Sequence, residues 1–539
     1  MGESRMSPLG VLLVSGQPIR IMTPCLVRLG SSLLALPALS GLGALCAIGA
    51  PALADYSTSA GDPTVLYATA SDDVQPKVGA APEGGMYVCF LSGSGYDVMV
   101  IRLDESGNAV WSAPVVVEDR TLSSTTDYGF AVDAQGNTFF AFDSTSPQGI
   151  KFVSLDPSGA VRWSRQVYSG SGALLARCTV ASDGAAWISY LEGSSTKVQR
   201  YTNADGTATL PTPVALSESG ATQAHADLQP SLDGAIIASC VRYTTFTGAK
   251  TLRAHRINAD GSRPWTAVGV PVFTTGSLQF GNYPSFIPDG AGGAYFCWYA
   301  TSPLQCHAQR ITFDGVVLYG TSGIAVTSTT TGANRVSPSM TLGADGRLYV
   351  FWSQNTPNTS IYGVFGQCFA KGVRQWGAGG VAVEPLASTY SRSWATAARV
   401  GDGVVCFYDD STGATQDNLE CARMNADGTV AWRSDVAVNP GTKYRHAARP
   451  AAGDGAAIVW QGSPSAGGAS DLWAARIGAD GVLGPPSAGV VGDLDGDGSV
   501  GALDLAILLA QWGGAGSADF DASGAVDALD LAVVLANWT

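Results

Sequence analysis

Two glycine turns recur in step eight times along this chain, with four short strands in each recurring unit. These observations predict a mainly β fold, an eight-bladed β-propeller, with seven blades as the alternative count. A duplicated acidic loop near the C-terminus predicts a small α-helical calcium-binding module after it. The expected organisation is a signal peptide over residues 1–54, the propeller over 55–488 and the calcium module over 489–539.

Composition agrees with this. At 539 residues the chain exceeds one ordinary domain. Hydrophobic residues make up 46% and charged residues 14%, which excludes a disordered chain. The net charge is −14 and no Lys/Arg run occurs, so nucleic acid is not an expected partner.

The N-terminus reads as an address. Residues 1–54 hold Arg5, Arg20 and Arg28, one acid (Glu3), and an apolar stretch from Leu33 to Ala50. It closes on Ala52-Leu53-Ala54, an A-x-A cleavage pattern. Export through a cleaved signal peptide is expected, starting from Met1 or Met22, with no membrane span in the mature chain. Removal of this segment leaves 27 basic and 43 acidic residues, a net charge of −16.

The first glycine marker stands at Gly107, Gly159, Gly206, Gly261, Gly315, Gly372, Gly428 and Gly481. Four residues later come Trp111, Trp163, Trp265, Trp376 and Trp432, with Leu210 and Tyr319 in that place in two other units. The second marker runs through Gly84, Gly136, Gly184, Gly234, Gly292, Gly346, Gly403 and Gly455. Between the markers lie apolar, β-branched and aromatic runs such as Ala294–Tyr299, bounded by Gly, Asp, Asn and Ser. The piece Pro63–Tyr67 precedes the first unit and reads as a fourth strand without a blade. Pairing it with the last unit would seal the ring and remove its open edges. The repeats resemble bacterial secreted β-propeller repeats over about 430 residues, a resemblance that implies the fold and leaves activity open.

Catalytic signals are sparse. The four His (His225, His255, His307, His446) occupy different positions in their units, and no G-x-S-x-G turn occurs. Arg102, Arg256, Arg310, Arg423 and Arg476 each precede the turn Gly by five residues, which predicts a scaffold role beside the turn carboxylates. Cys297/Cys306 and Cys406/Cys421 could join adjacent strands or be small core residues. Adjacent carboxylates such as Asp72-Asp73 and Asp409-Asp410 point to opposite faces of a strand, so neither makes an acid/base pair alone.

The C-terminal motif is specific. Asp493, Asp495, Asp497 and Asp504 stand at loop positions 1, 3, 5 and 12, with Gly498 at 6 and the Ser499 carbonyl at 7. The layout returns 26 residues later with Asp519, Asp521, Ser523, the Ala525 carbonyl, Asp527 at position 9 and Asp530. Hard cations take several oxygens at about 2.3–2.6 Å, and such a loop can wrap one. Two Ca2+ sites are expected. Each loop runs into an apolar helix, and Leu505, Leu508, Leu509 and Trp512 are expected to pack on Leu531, Val534, Leu535 and Trp538. Loop, helix and duplication together resemble a type I dockerin. That resemblance implies a protein partner, cohesin-like or at the cell surface, although Ala502-Leu503 and Ala528-Leu529 replace the polar residues frequent there.

Two functions are therefore expected. The first is an exported non-catalytic binding or scaffold propeller, displayed through a calcium-dependent module and possessing a carbohydrate ligand. The alternative is a glycoside hydrolase or polysaccharide lyase whose propeller is catalytic. Carboxylates, or Arg with Tyr and Glu, converging from different blades would favour the second.

Overall fold

The computed structural model describes residues 55–121, 127–279, 281–329, 332–413, 415–464, 468–486, 491–494, 499–521 and 523–539. The expected signal peptide, Asp495 and Asp497 lie outside these residues.

The β region is an eight-bladed propeller, not a seven-bladed one. Eight antiparallel sheets follow one another along the chain, seven with four strands and the sixth with a fifth strand, Val381–Ser388. The first blade runs Asp73–Ala80, Met86–Ser92, Asp97–Leu103 and Val115–Glu118. The ring closes as the sequence predicts. Thr64–Tyr67 pairs with Asp471–Ile477 as the outer strand of the eighth blade, with Val65 opposite Trp473. The Asp73 N–H also donates to the Ser470 carbonyl at 2.7 Å across the same seam.

The core lies between blades. Eight of the large apolar clusters each span one blade–blade interface, such as Phe139, Phe152 and Trp163 against Ala176, Ile188 and Tyr201. The reason is the sequence of the second strands: Met86–Ser92, Ala186–Glu192 and Ala456–Gly462 are buried on both faces, as near-continuous apolar runs require.

The glycine–aromatic spacing has a physical cause. Trp111, Trp163, Trp265, Trp376 and Trp432 each donate the indole N–H to a carbonyl of the next blade, at 2.8–3.1 Å. Each ring fills the space over the next blade's turn Gly. Leu210 and Tyr319 do so beneath Gly261 and Gly372, and Tyr56 does so beneath Gly107. All eight of these turn glycines have positive φ.

The repeated Arg is scaffold, as expected. Arg310 grips Asp289 at 2.8 Å, Arg423 pairs with Asp402, and Arg256 lies 3.9 Å over the Phe313 ring. The eight described cysteines are free and buried. Cys406 pairs across strands with Ala422 and Cys421 with Phe407, so those two sulfurs face opposite sides of the sheet. Cys297 and Cys306 share a face but are staggered, since Cys297 pairs with Ala308 and Cys306 with Tyr299.

The C-terminal residues form two nine-residue helices, Ala502–Ala510 and Ala528–Ala536. Their core is smaller than the sequence suggests. Val500, Leu508, Ala518, Val526 and Val534 are buried, while Leu509, Trp512, Leu535 and Trp538 are 54%, 48%, 55% and 45% exposed. A nine-residue helix turns one narrow stripe inward, and loop residues Val500 and Val526 fill the rest. No helix among the described residues is long and apolar enough to cross a membrane.

Candidate functional site

The first strands of neighbouring blades pack around the axis. Six of them carry a register shift that begins within their first four residues. At five of these places a non-glycine residue is left-handed: Gln75, Leu175, Ser337, Trp394 and Arg445, with φ of 51–60°. Strain of this kind costs on the order of 1–3 kcal/mol and persists only where the surroundings impose it. It turns the side chains at one end of the axis away from strict alternation.

At that end a cleft of about 500 Å³ opens between blades 5, 6 and 7. Its walls carry Tyr283, Tyr299, Tyr362 and Trp394, together with the amides of Gln279, Asn282, Gln354 and Asn355. Ser337 and Trp394, both left-handed, stand on these walls. The Tyr299 hydroxyl donates to Gln279 Oε1 at 2.6 Å, which fixes both side chains. Tyr283 and Ser285 also line an axial cavity of about 510 Å³ bounded by blades 1–4, so the two spaces share a wall.

The axial cavity is charged. Lys77 of blade 1 and Arg177 of blade 3 both pair with Asp127 of blade 2, the former at 2.8 Å. Gly129 makes this possible: a Cβ there would stand 2.4 Å from the Cys178 nitrogen, so only glycine lets the two strands approach. Burial alone would raise the Asp127 carboxyl, but Arg177 and Lys77 outweigh it and hold it well below the usual range. Burial pushes Asp143, two residues along the second strand of that blade from Ala141, up to about 7 despite Arg120 and Arg177. Asp227 of blade 4 is also raised by burial, although it accepts from Gln229 and from the Phe286 N–H.

An Arg, a Tyr and a Glu from two blades do converge beside the cleft. Arg392 lies 3.5 Å from Glu384, and the Tyr408 hydroxyl donates to Glu384 at 3.3 Å. Tyr408 is fully buried, however, and burial with Glu420 and Glu384 holds its proton far more firmly than in water. Asp409 and His446, 3.0 Å apart, are likewise sealed between blades 7 and 8.

The C-terminal loops bring together part of the expected ligand set. Carboxylate oxygens of Asp519, Asp521 and Asp530 lie within 4.8 Å of one another. The Ser523 N–H donates to Asp519 at 3.0 Å and to Asp521 at 3.1 Å, which wraps the loop around them. The Ala525 carbonyl accepts from the Ser523 hydroxyl, and Asp527 caps the second helix by accepting from the Leu529 N–H. Asp530 is buried and accepts from Phe520 and Asp527. In the first loop Asp504 does the same with Leu494 and Gly501; Asp493 and Ser499 are described, but Asp495 and Asp497 lie outside the described residues. Residues 477–539 contain no Lys, Arg or His, so these carboxylates have no protein cation nearby in sequence. An oxygen-only donor set of this kind fits a hard divalent ion.

The aromatic cleft was not singled out by its sequence. Its one signal is Trp394, which stands where other units carry Gln75, Leu175, Ser337 and Arg445.

No family model matches the chain, and no curated protein matches it. Among solved structures it is similar to an ulvan lyase, a polysaccharide lyase, with 11% identity and a TM-score of 0.43, covering 78% of this chain and 96% of that one. It is similar to an alpha-L-arabinanase of Penicillium chrysogenum with 14% identity and a TM-score of 0.32, covering 58% and 95%. A eukaryotic initiation factor stands at 11% and 0.40, covering 77% and 88%. Function has to be argued from the site.

Proposed function

We propose that this is an exported, non-catalytic polysaccharide-binding propeller, displayed through a calcium-dependent C-terminal module. The observation that carries the reading is the cleft between blades 5, 6 and 7. Sugars offer apolar C–H faces and hydroxyl edges. Tyr283, Tyr362 and Trp394 supply faces for the first, and Gln279, Asn282, Gln354 and Asn355 supply paired donors and acceptors for the second. Affinity electrophoresis of the intact protein in gels cast with different polysaccharides tests this. Retardation by at least one, lost in Trp394→Ala, supports it; migration unchanged by every polysaccharide contradicts it.

The supporting reading of the C-terminus is two Ca2+ ions held by Asp493, Asp495, Asp497, Asp504 and the Ser499 carbonyl, and by Asp519, Asp521, Ser523, Asp527, Asp530 and the Ala525 carbonyl. The exposed Leu509, Trp512, Leu535 and Trp538 would face a protein partner, cohesin-like or at the cell surface. The A-x-A pattern at 52–54 supports export.

A second reading, a glycoside hydrolase or lyase, has one specific observation in its favour. Asp127 is held ionised while Asp143 is pushed up to about 7, the division of roles an acid/base pair needs. Release of reducing or unsaturated ends from a glycan, abolished in Asp143→Asn, would establish it.

A further inference from the structure

We infer that the glycan taken by this cleft is a neutral polymer, and that uronate- or sulfate-bearing polymers are excluded; the inference rests on the glycan-binding reading above. Anionic sugars are held by guanidinium or ammonium groups with donors to spare, because a carboxylate or sulfate taken out of water needs charge-assisted hydrogen bonds in return.

The one guanidinium in the cleft is already held by carboxylates. Arg392 is the one charged side chain among its described lining residues. Its Nε and Nη2 both bind Asp410 Oδ2, at 3.0 and 2.8 Å, and its Nη1 donates to the Pro385 carbonyl. Glu384 stands a further 3.5 Å away and also draws Arg433, at 3.3 Å. Glu420 lies behind Asp410 with its carboxyl raised, first by burial and then by Asp410 itself, a sign of crowded negative charge.

The adjoining axial cavity repeats the pattern. Lys77 and Arg177 are both committed to Asp127, and Asp227 adds a fourth charged group that balances them. An incoming polyanion would therefore meet a wall whose cations are already paired, on a chain of net charge −14. A neutral polymer meets amides that donate and accept and rings that stack, and breaks no ion pair to enter.

The test is titration calorimetry of the full chain with two neutral polymers, arabinan and galactomannan, and two anionic ones, polygalacturonate and a sulfated galactan, in low and high NaCl. We expect at least one neutral polymer to bind with affinity changed less than about twofold by salt, since no exposed charge pairs are formed. We expect both anionic polymers to bind at least about tenfold more weakly. Tighter binding of either anionic polymer, weakened by salt, overturns the inference while leaving glycan binding intact. Absence of heat with all four overturns the inference together with the reading beneath it.

Discussion

The indole N–H of Trp163 donates to the Asn203 carbonyl at 2.9 Å, and its ring lies where a Cβ on Gly206 would stand 2.5 Å away. Asn203 and Gly206 belong to the next blade, so one side chain makes both a hydrogen bond and a packing contact across the interface. Trp163→Phe keeps an aromatic ring and loses the donor, leaving a part-buried carbonyl unpaired. It should cost about 1 kcal/mol. Trp163→Ala should cost about 3–5 kcal/mol. Urea unfolding measures both, and equal costs for the two would mean that the hydrogen bond, not the ring, carries the contact.

Tyr56 supplies the eighth of these contacts, since the last unit has Pro485 four residues after its turn glycine. It is 3% exposed, its ring lies 2.9 Å from where a Gly107 Cβ would stand, and its N–H donates to the Ser106 carbonyl at 2.7 Å. Tyr56→Ala should destabilise the ring by a comparable 3–5 kcal/mol, roughly, although the residue lies only eight positions before the first strand. A melting temperature unchanged by this substitution would mean that closure depends on the Thr64–Tyr67 strand alone.

Asp143 gives a pH dependence of known sign. Its folded carboxyl titrates near 7, above the ordinary 3.8, because burial disfavours the charge. Between these values the folded chain keeps a proton that the unfolded chain has lost, so this group lowers stability as pH rises through the window. His255 and His307, held by burial to about 3 and about 4, act in the opposite sense below pH 6.5, so the wild-type curve alone is uninformative. The difference curve is informative. Asp143→Asn should gain stability relative to wild type from pH 4 to 7, reaching about 4 kcal/mol at pH 8, since each of roughly three pH units contributes about 1.4 kcal/mol. Parallel curves for the two proteins would refute the shift.

Much of the propeller was legible because its repeat fixes two physical requirements at once. The turn Gly must have positive φ, and an aromatic four residues later must reach the next blade's turn; Gly206, Trp163 and their counterparts keep that spacing for this reason. The cleft was not legible. Tyr283, Tyr299, Tyr362 and Trp394 come from three blades and look like core aromatics in a chain full of them. What sets Trp394 apart is a left-handed backbone, which a sequence does not display. The helices misled in the other direction: Leu508 and Leu509 look alike in sequence, yet one is buried and the other 54% exposed.

Calcium should order the C-terminal loops. With Asp519, Asp521 and Asp530 gathered within 4.8 Å and no basic residue in 477–539, the carboxylates repel until a cation joins them. In the intact protein, chelator should remove a separate unfolding transition and quench or shift the fluorescence of Trp512 and Trp538, leaving the propeller transition in place. Asp519→Asn with Asp530→Asn should remove one of two binding events. The first loop should be the tighter, since its position 5 is Asp497 where the second has Ser523. Identical calorimetric scans with calcium and with chelator would contradict this.

The central claim is that the cleft between blades 5, 6 and 7 holds a glycan. A crystal structure of the protein soaked with oligosaccharides of the polymer it binds tests that directly. The account predicts a sugar ring stacked on Trp394 with hydroxyls bonded to the Gln279, Asn282, Gln354 or Asn355 amides. An ordered oligosaccharide seated elsewhere on the propeller, with this cleft empty, would contradict it.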